Sequence, residues 1–176
     1  MELLTKRLII RSPVIGDAEE LREKINDFSV IQWLSNTPYP YSLDDAISFI
    51  HRTNQSVKDN RAYNLVIEID GKIAGGVGLF NFEEIDCELG FWIASEFWKM
   101  GIATEASKAM LDFGFRQLEL KTIKASFKEG NKASKKVLKK LGFISVSQKL
   151  EEDEILKKRV MIHFLEIKSS DYLVNN

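Results

Sequence analysis

Cysteine is almost missing from this chain of 176 residues: Cys87 stands alone, and a single thiol excludes an intramolecular disulfide. A small secreted domain built on bridges would carry several, so a reducing, cytoplasmic setting fits better. Proline is scarce too, three residues in all, and no Pro/Gly/Ser-rich tract divides the sequence. The chain therefore reads as one domain over residues 1–176, a size that hides roughly two-thirds of the unfolded chain's surface without staples. Neither sign of charge is in excess, the formal net charge being -1, so no nucleic-acid partner is expected. No apolar run reaches the roughly 20 residues that span a bilayer, so no membrane partner is expected either. The opening residues, MELLTKRLIIRSP, place an acid early and alternate apolar with polar, unlike a secretory signal. His51 and His163 lack the partner spacing of metal ligands, and no metal site is predicted.

What the sequence does contain is a succession of short periodic segments. Residues 3–11 read as a strand. Ala18, Leu21, Ile25 and Phe28 recur at helical spacing behind Asp17, which predicts a helix capped by that aspartate. Ser42 and Asp45 form a capping-box pattern ahead of a helix that buries Leu43, Ala46, Ile47 and Ile50. Asp70-Gly71 between the apolar runs 63–69 and 72–80 predicts a hairpin, because both turn positions need positive φ. Residues 85–93 alternate: Cys87, Leu89, Phe91 and Ile93 face one way, Glu88, Gly90 and Trp92 the other. A helix from about residue 101 to 118 carries a wide apolar face. A strand over 122–127 follows. Asn131 then opens a helix that buries Val137, Leu138 and Leu141, and Gly142 ends it as a left-handed cap. Strands at 143–148 and 158–167 flank the charged loop EEDE. Hairpin-linked strands followed by a strand–helix–strand crossover imply an α+β fold, a mixed sheet with helices packed on it.

Two segments carry chemistry. In FWKMGIATEA, Gly101 and Ala103 are small where a strand gives way to a long helix. The first amides of a helix have no internal partner and sit at the positive end of its dipole, which suits phosphate. No Gly-Lys-Ser/Thr follows, so this is not a nucleotide-binding loop of that type, and Gly101 alone reads equally well as a flexible junction. In NKASKKVLKKLGF, Asn131 can cap its own helix, and the lysines read first as a solvated face.

Together, W-x-x-G-x-A-T-E-A and, some thirty residues on, N-x-x-S-x-x-V-L-x-K-L-G-F resemble the GNAT acetyltransferases, and most the RimJ/RimL-like branch that acetylates ribosomal-protein N-termini. LLTKRLIIRSP and DCELGFWI resemble that branch as well. The resemblance implies a central, mostly antiparallel sheet of about seven strands, with a splayed central parallel pair and four main helices. It implies an acyltransferase that uses acetyl-CoA as co-substrate, with no metal, and a primary amine as acceptor. A protein N-terminal α-amine is the acceptor the branch suggests; a polyamine, amino sugar or antibiotic is the alternative, as is a module that binds acetyl-CoA without turnover. A homodimer is compatible with it.

The resemblance also assigns positions. The amides of Met100, Gly101, Ile102, Ala103 and Thr104 would hold the CoA pyrophosphate. Phe91, Trp92 and Ile93 would lie on the strand that splays from 122–127. The pantetheine arm would fill that gap, and an N–H near Ile93 would face the thioester oxygen. Asn131, Ser134 and Lys135 would lie along the CoA arm. Two departures stand out: Trp98 occupies a position often held by Gln or Arg, and Leu138 one often held by the tyrosine that protonates the leaving thiolate. Glu88 interrupts an apolar strand and is the candidate general base, with an exposed strand residue as its plainer reading. Ser134, or a water, is the candidate acid, with a cap residue as its plainer reading. The acids Glu83, Glu84 and Asp86 can attract a cationic acceptor or simply be a solvated hairpin tip. Cys87 reads as buried packing.

Overall fold

A computed structural model of the chain describes residues 1–175. Eight strands form one sheet: β1 (Glu2–Leu4), β2 (Ile9–Arg11), β3 (Tyr63–Ile69), β4 (Lys72–Glu83), β5 (Asp86–Ile93), β6 (Thr122–Lys128), β7 (Ile144–Asp153) and β8 (Lys158–Lys168). The helices are α1 (Ala18–Ile25), α2 (Phe28–Ile31), α3 (Leu43–Lys58), α4 (Ile102–Arg116), α5 (Lys132–Lys140) and α6 (Ser169–Asn175). The strand order is β1-β2-β3-β4-β5-β6-β8-β7, and β5–β6 is its one parallel pair. Residues 3–11 are therefore a hairpin rather than a single strand, with Leu3 opposite Ile10 and a turn closed by Thr5 N–H to the Leu8 carbonyl at 3.0 Å. Leu3-Leu4 and Leu8-Ile9-Ile10 are equally apolar, so periodicity alone could not reveal the reversal.

The sheet has two covered faces because its inner strands bury successive side chains on opposite sides. Ile67, Val77 and Leu89 pack with Ile102, Ala106 and Met110 of α4, and with Leu138 of α5. Val66 and Ile73 pack with Leu21 and Ile25 of α1 and Ala46 and Ile50 of α3. The turn signals act as expected: Asp70 and Gly71 take φ 50 and 74, and the Ser42–Asp45 capping box is formed.

Three local expectations are corrected. Phe28 does not extend the first helix; α1 stops at Ile25 and Phe28 is 48% exposed on α2. Asp17 precedes α1 but makes no side-chain cap. Its carboxylate instead receives the Arg11 guanidinium at 2.8 and 2.9 Å and the Val14 N–H at 2.7 Å. A charge partner from β2 outcompetes the helix end, since charge-assisted bonds are the stronger kind. EEDE is not a loop: Glu151, Glu152 and Asp153 continue β7, paired with Val160, Arg159 and Lys158. Among the described residues no helix is long and apolar enough to cross a membrane.

Candidate functional site

The parallel pair is short. Its register runs Asp86↔Thr122, Cys87↔Ile123 and Glu88↔Lys124, and pairing stops there. Both strands go on, β5 along β4 as far as Ile93↔Gly75 and β6 along β8 as far as Lys128↔Ile162. The sheet therefore opens into a V with its vertex at Glu88/Lys124. The direction of the backbone groups follows from two bonds. Ala94 N–H reaches the Ala74 carbonyl at 2.9 Å and Lys121 N–H the Ile85 carbonyl at 2.8 Å. Odd-numbered residues of β5 thus point their N–H and C=O toward β6, because these groups alternate along a strand. In the open part these are the N–H and C=O of Phe91 and the N–H of Ile93, facing a gap inside the sheet, with the Ile93 C=O taken by the Trp98 indole. Trp92, between them, points its indole to the α1/α3 face, over Gly76.

The loop after β5 carries the chain to α4. Gly101 is the residue before the helix and sits at φ 78, a left-handed conformation that favours glycine. A Cβ there would meet nothing nearer than Arg7 Nη2 at 3.7 Å, so the approach is open. The first bond into the helix is Glu105 N–H to the Gly101 carbonyl at 3.1 Å. The amides of Gly101, Ile102, Ala103 and Thr104 have no acceptor among the described residues, and Met100 stands immediately before them at the end of a turn. These amides, the helix dipole and the open approach suit an anion.

On the other side of the V, Asn131 caps α5, its Oδ1 accepting the Ser134 N–H at 3.0 Å. The Ser134 hydroxyl has no partner among the described residues. Asn131 and Lys135 line a cavity of about 130 Å³ with Phe127, Glu129, Gly130 and Lys132. Leu138, one helix turn beyond Ser134, is buried in the core and offers no proton. Glu88 lies at the vertex, part-buried, on the face opposite α4, and accepts a bond from Asn81 Nδ2 at 3.2 Å. Glu83 and Asp86 sit beyond the vertex, at the closed end, with Lys124 Nζ 3.5 and 3.6 Å away. Cys87 is buried, and burial first, then Asp86 and Glu88, push its thiol up to about 12. It is packing and not a nucleophile, since the thiolate is the reactive form. Among the described residues no group of three His, Cys, Asp or Glu converges on a point where an ion could sit.

Residues 7–144 match the family of acetyltransferase (GNAT) domains. The chain belongs to the GNAT acetyltransferase family. It is 30% identical over 146 residues to a putative ribosomal N-acetyltransferase, YdaF, of Bacillus subtilis, covering 80% of each chain. It is 26% identical over 129 residues to the spermidine N(1)-acetyltransferase of Escherichia coli, covering 72% of this chain and 67% of that one. Its fold matches the solved structure of the ribosomal α-N-protein acetyltransferase RimL in complex with coenzyme A, with a TM-score of 0.85 at 15% identity over 94% and 96% of the two chains.

A GNAT acetyltransferase uses acetyl-CoA, and the residues present fit that donor. Free amides at α4 match a pyrophosphate, and an inward strand edge matches an arm that carries amides of its own. Three groups that hold this region in shape were not legible as site residues. Trp98 donates its indole N–H to the Ile93 carbonyl at 2.7 Å, tying the end of β5 to the loop before α4. Its place in the motif was visible; its bond was not. Arg7, in the β1–β2 turn, reaches Glu105 Oε2 at 2.7 Å from Nη2 and 2.8 Å from Nε, and the Met100 carbonyl at 3.0 Å. Burial would raise the Glu105 carboxyl, but Thr5 and Arg7 outweigh it and hold it below its ordinary range. The third is Lys128, at the open end of the V, which a basic residue closing a strand gave no reason to single out.

Proposed function

We propose that this acetyltransferase moves the acetyl group to the α-amine at a protein N-terminus, of the ribosomal-protein kind. The observation that carries this over a polyamine acceptor is where the acids lie. Asp86 is seven residues from Ile93 along β5, about 23 Å at the usual strand rise, and shares Lys124 with Glu83. The acidic tip is thus remote from the open end where the acetyl group would be held, and partly neutralised. The likeness to YdaF supports the same reading. The likeness to the spermidine enzyme supports the small-amine alternative. A cytoplasmic setting is consistent with either, with Cys87 a buried free thiol.

In this reading Gly101, Ile102, Ala103 and Thr104 bind the pyrophosphate through their amides, with Met100 beside them. Phe91 and Ile93 pair with the pantetheine arm, Trp92 backs the strand, and Asn131, Ser134 and Lys135 flank the arm on the α5 side. A neutral amine attacks the thioester carbonyl, an N–H of the β5 edge receives the oxyanion, and CoA leaves as thiolate. Oriented binding supplies roughly 7–11 kcal/mol of the barrier, and one oxyanion donor about 3–4. Acid–base help is smaller, about 10²- to 10⁴-fold, so Leu138 in place of a tyrosine is tolerable. Glu88 lies five residues from Ile93, about 17 Å by strand rise, so it takes the proton through a chain of waters rather than directly. Ser134 or a water returns a proton to the thiolate. An α-amine, titrating near ~8, needs little help to be neutral.

The test is thiol release from acetyl-CoA with three acceptors: a peptide with a free N-terminal alanine, the same peptide already acetylated, and spermidine. Release with the first alone is expected. Release with spermidine alone moves the acceptor to small amines. Acetyl-CoA binding with no release from any amine would make the chain a binding module.

A further inference from the structure

Lys128 ends β6 and is buried, 5% exposed, yet no step above uses it. Its ammonium donates to the Gln32 carbonyl at 2.9 Å and the Leu34 carbonyl at 2.7 Å, and pairs with Asp153 Oδ2 at 2.7 Å. An ammonium has three donors, so all are used. The three acceptors come from two segments far apart in sequence, the connection after α2 and the tip of the β7–β8 hairpin. Asp153 fixes that tip in turn, accepting the Ile155 and Leu156 N–H groups at 3.0 and 2.8 Å. Leu34 and Ile155 pack against the same cluster as Trp92. Between the two clamped carbonyls lies Trp33, whose Cη2 is 3.6 Å from where a Cβ on Gly130 would stand. Gly130 immediately precedes Asn131 at the cavity beside α5. A buried pair of this kind is weak evidence for a role in stability, because well-packed apolar residues often do as well.

We propose that Lys128 is a positioning residue: by holding the Gln32 and Leu34 carbonyls it sets Trp33 against Gly130 and so forms the wall past which the amine reaches the open end of the V. This rests on the reading that the V takes acetyl-CoA and an amine. The clamp acts on the acceptor's path and leaves the pyrophosphate amides at α4 untouched.

Lys128→Met keeps the stem and deletes the charge, Lys128→Arg keeps the charge, and Trp33→Ala removes the wall while leaving the clamp. Hydrogen–deuterium exchange reads the clamp without any acceptor. In Lys128→Met, residues 31–37 and 153–157 should exchange faster while residues 102–105 stay as in the parent protein. With whichever amine the parent protein turns over, kcat/KM for that amine should fall by roughly tenfold or more, chiefly through KM, while the acetyl-CoA Kd moves by less than about twofold. Lys128→Arg should recover part of this. Trp33→Ala should raise the same KM, with no further rise in the double variant, since residues acting as one unit are not additive. Unchanged exchange at 31–37, or loss of acetyl-CoA affinity in step with the amine, would overturn the proposal. Should Lys128→Met not fold, Asp153→Asn loosens the same clamp and should give the same pattern in weaker form. If the parent protein uses neither the alanine peptide nor spermidine, the acceptor reading fails on its own, and the exchange result still decides the clamp.

Discussion

The phosphate reading of the α4 N-terminus makes one residue diagnostic. Gly101 is left-handed, at φ 78, with only Arg7 Nη2 near its missing side chain, at 3.7 Å. Gly101→Ala therefore creates no clash, and its effect is conformational: the left-handed state costs an L-residue about 1–2 kcal/mol. If alanine relaxes to negative φ, the amides of residues 101–104 turn away, and the ligand must restore them at that cost. The acetyl-CoA Kd should then rise about five- to thirtyfold, at 1.4 kcal/mol per factor of ten. Asparagine tolerates the left-handed region better, so Gly101→Asn should cost less than alanine. Gly101→Asp shares the shape of asparagine and adds a charge. At about 6 Å from a phosphate charge, with an effective dielectric between 20 and 80, that charge costs roughly 0.7–2.8 kcal/mol more. Isothermal titration with acetyl-CoA measures all three, and thermal unfolding separates binding from stability. The Asn variant is expected to bind more tightly than either Ala or Asp. Equal affinity for the Asn and Asp variants would refute an anion at this helix end.

Further perturbations test other parts of the molecule. Glu88→Gln should leave the acetyl-CoA Kd unchanged and lower kcat; full activity at every pH would end its role as base. Asn131→Ala should lower stability by about 1 kcal/mol through loss of the cap to the Ser134 N–H, whereas Ser134→Ala keeps that cap and should lower kcat alone, as rapid-quench assays would reveal. Asp17 is pushed up by burial but pulled down more strongly by Arg11 and the Val14 N–H, so its folded value lies below 3.8. Its stabilisation is therefore present above that value and lost as pH falls through the folded one. Asp17→Asn should cost about 2 kcal/mol near pH 7 and progressively nothing as the solution is acidified, by urea titration at stepped pH.

How far the sequence could be read depended on the range of the forces involved. The Asp70-Gly71 hairpin, the Ser42–Asp45 box, the Asn131 cap and the left-handed Gly142 are all set by neighbours within four residues, and each sits where the sequence put it. The vertex of the V was legible only through the family likeness, since no local pattern states that pairing will stop at Glu88. Long-range partners were invisible. Asp17 looked like a cap because Arg11 was six residues away, and nothing linked Lys128 to Asp153 or Arg7 to Glu105. The glycines at 76 and 78 had no evident role in the sequence. In the fold a Cβ on them would fall 2.5 Å from the Trp92 indole nitrogen and 2.3 Å from Asn64 Oδ1, so they are there to make room.

The V gives the sheet four edges instead of two. An unpaired edge is ordinarily a template on which another chain can aggregate. Here two of the four face each other inside one sheet, and each is braced from behind, β5 by β4 and β6 by β8. Past Glu88 and Lys124 they no longer pair with each other. A chain that paired with either would have to be extended, as a strand is. The same geometry thus turns two exposed edges inward, where a guest that used them would lengthen the sheet from within rather than at its rim.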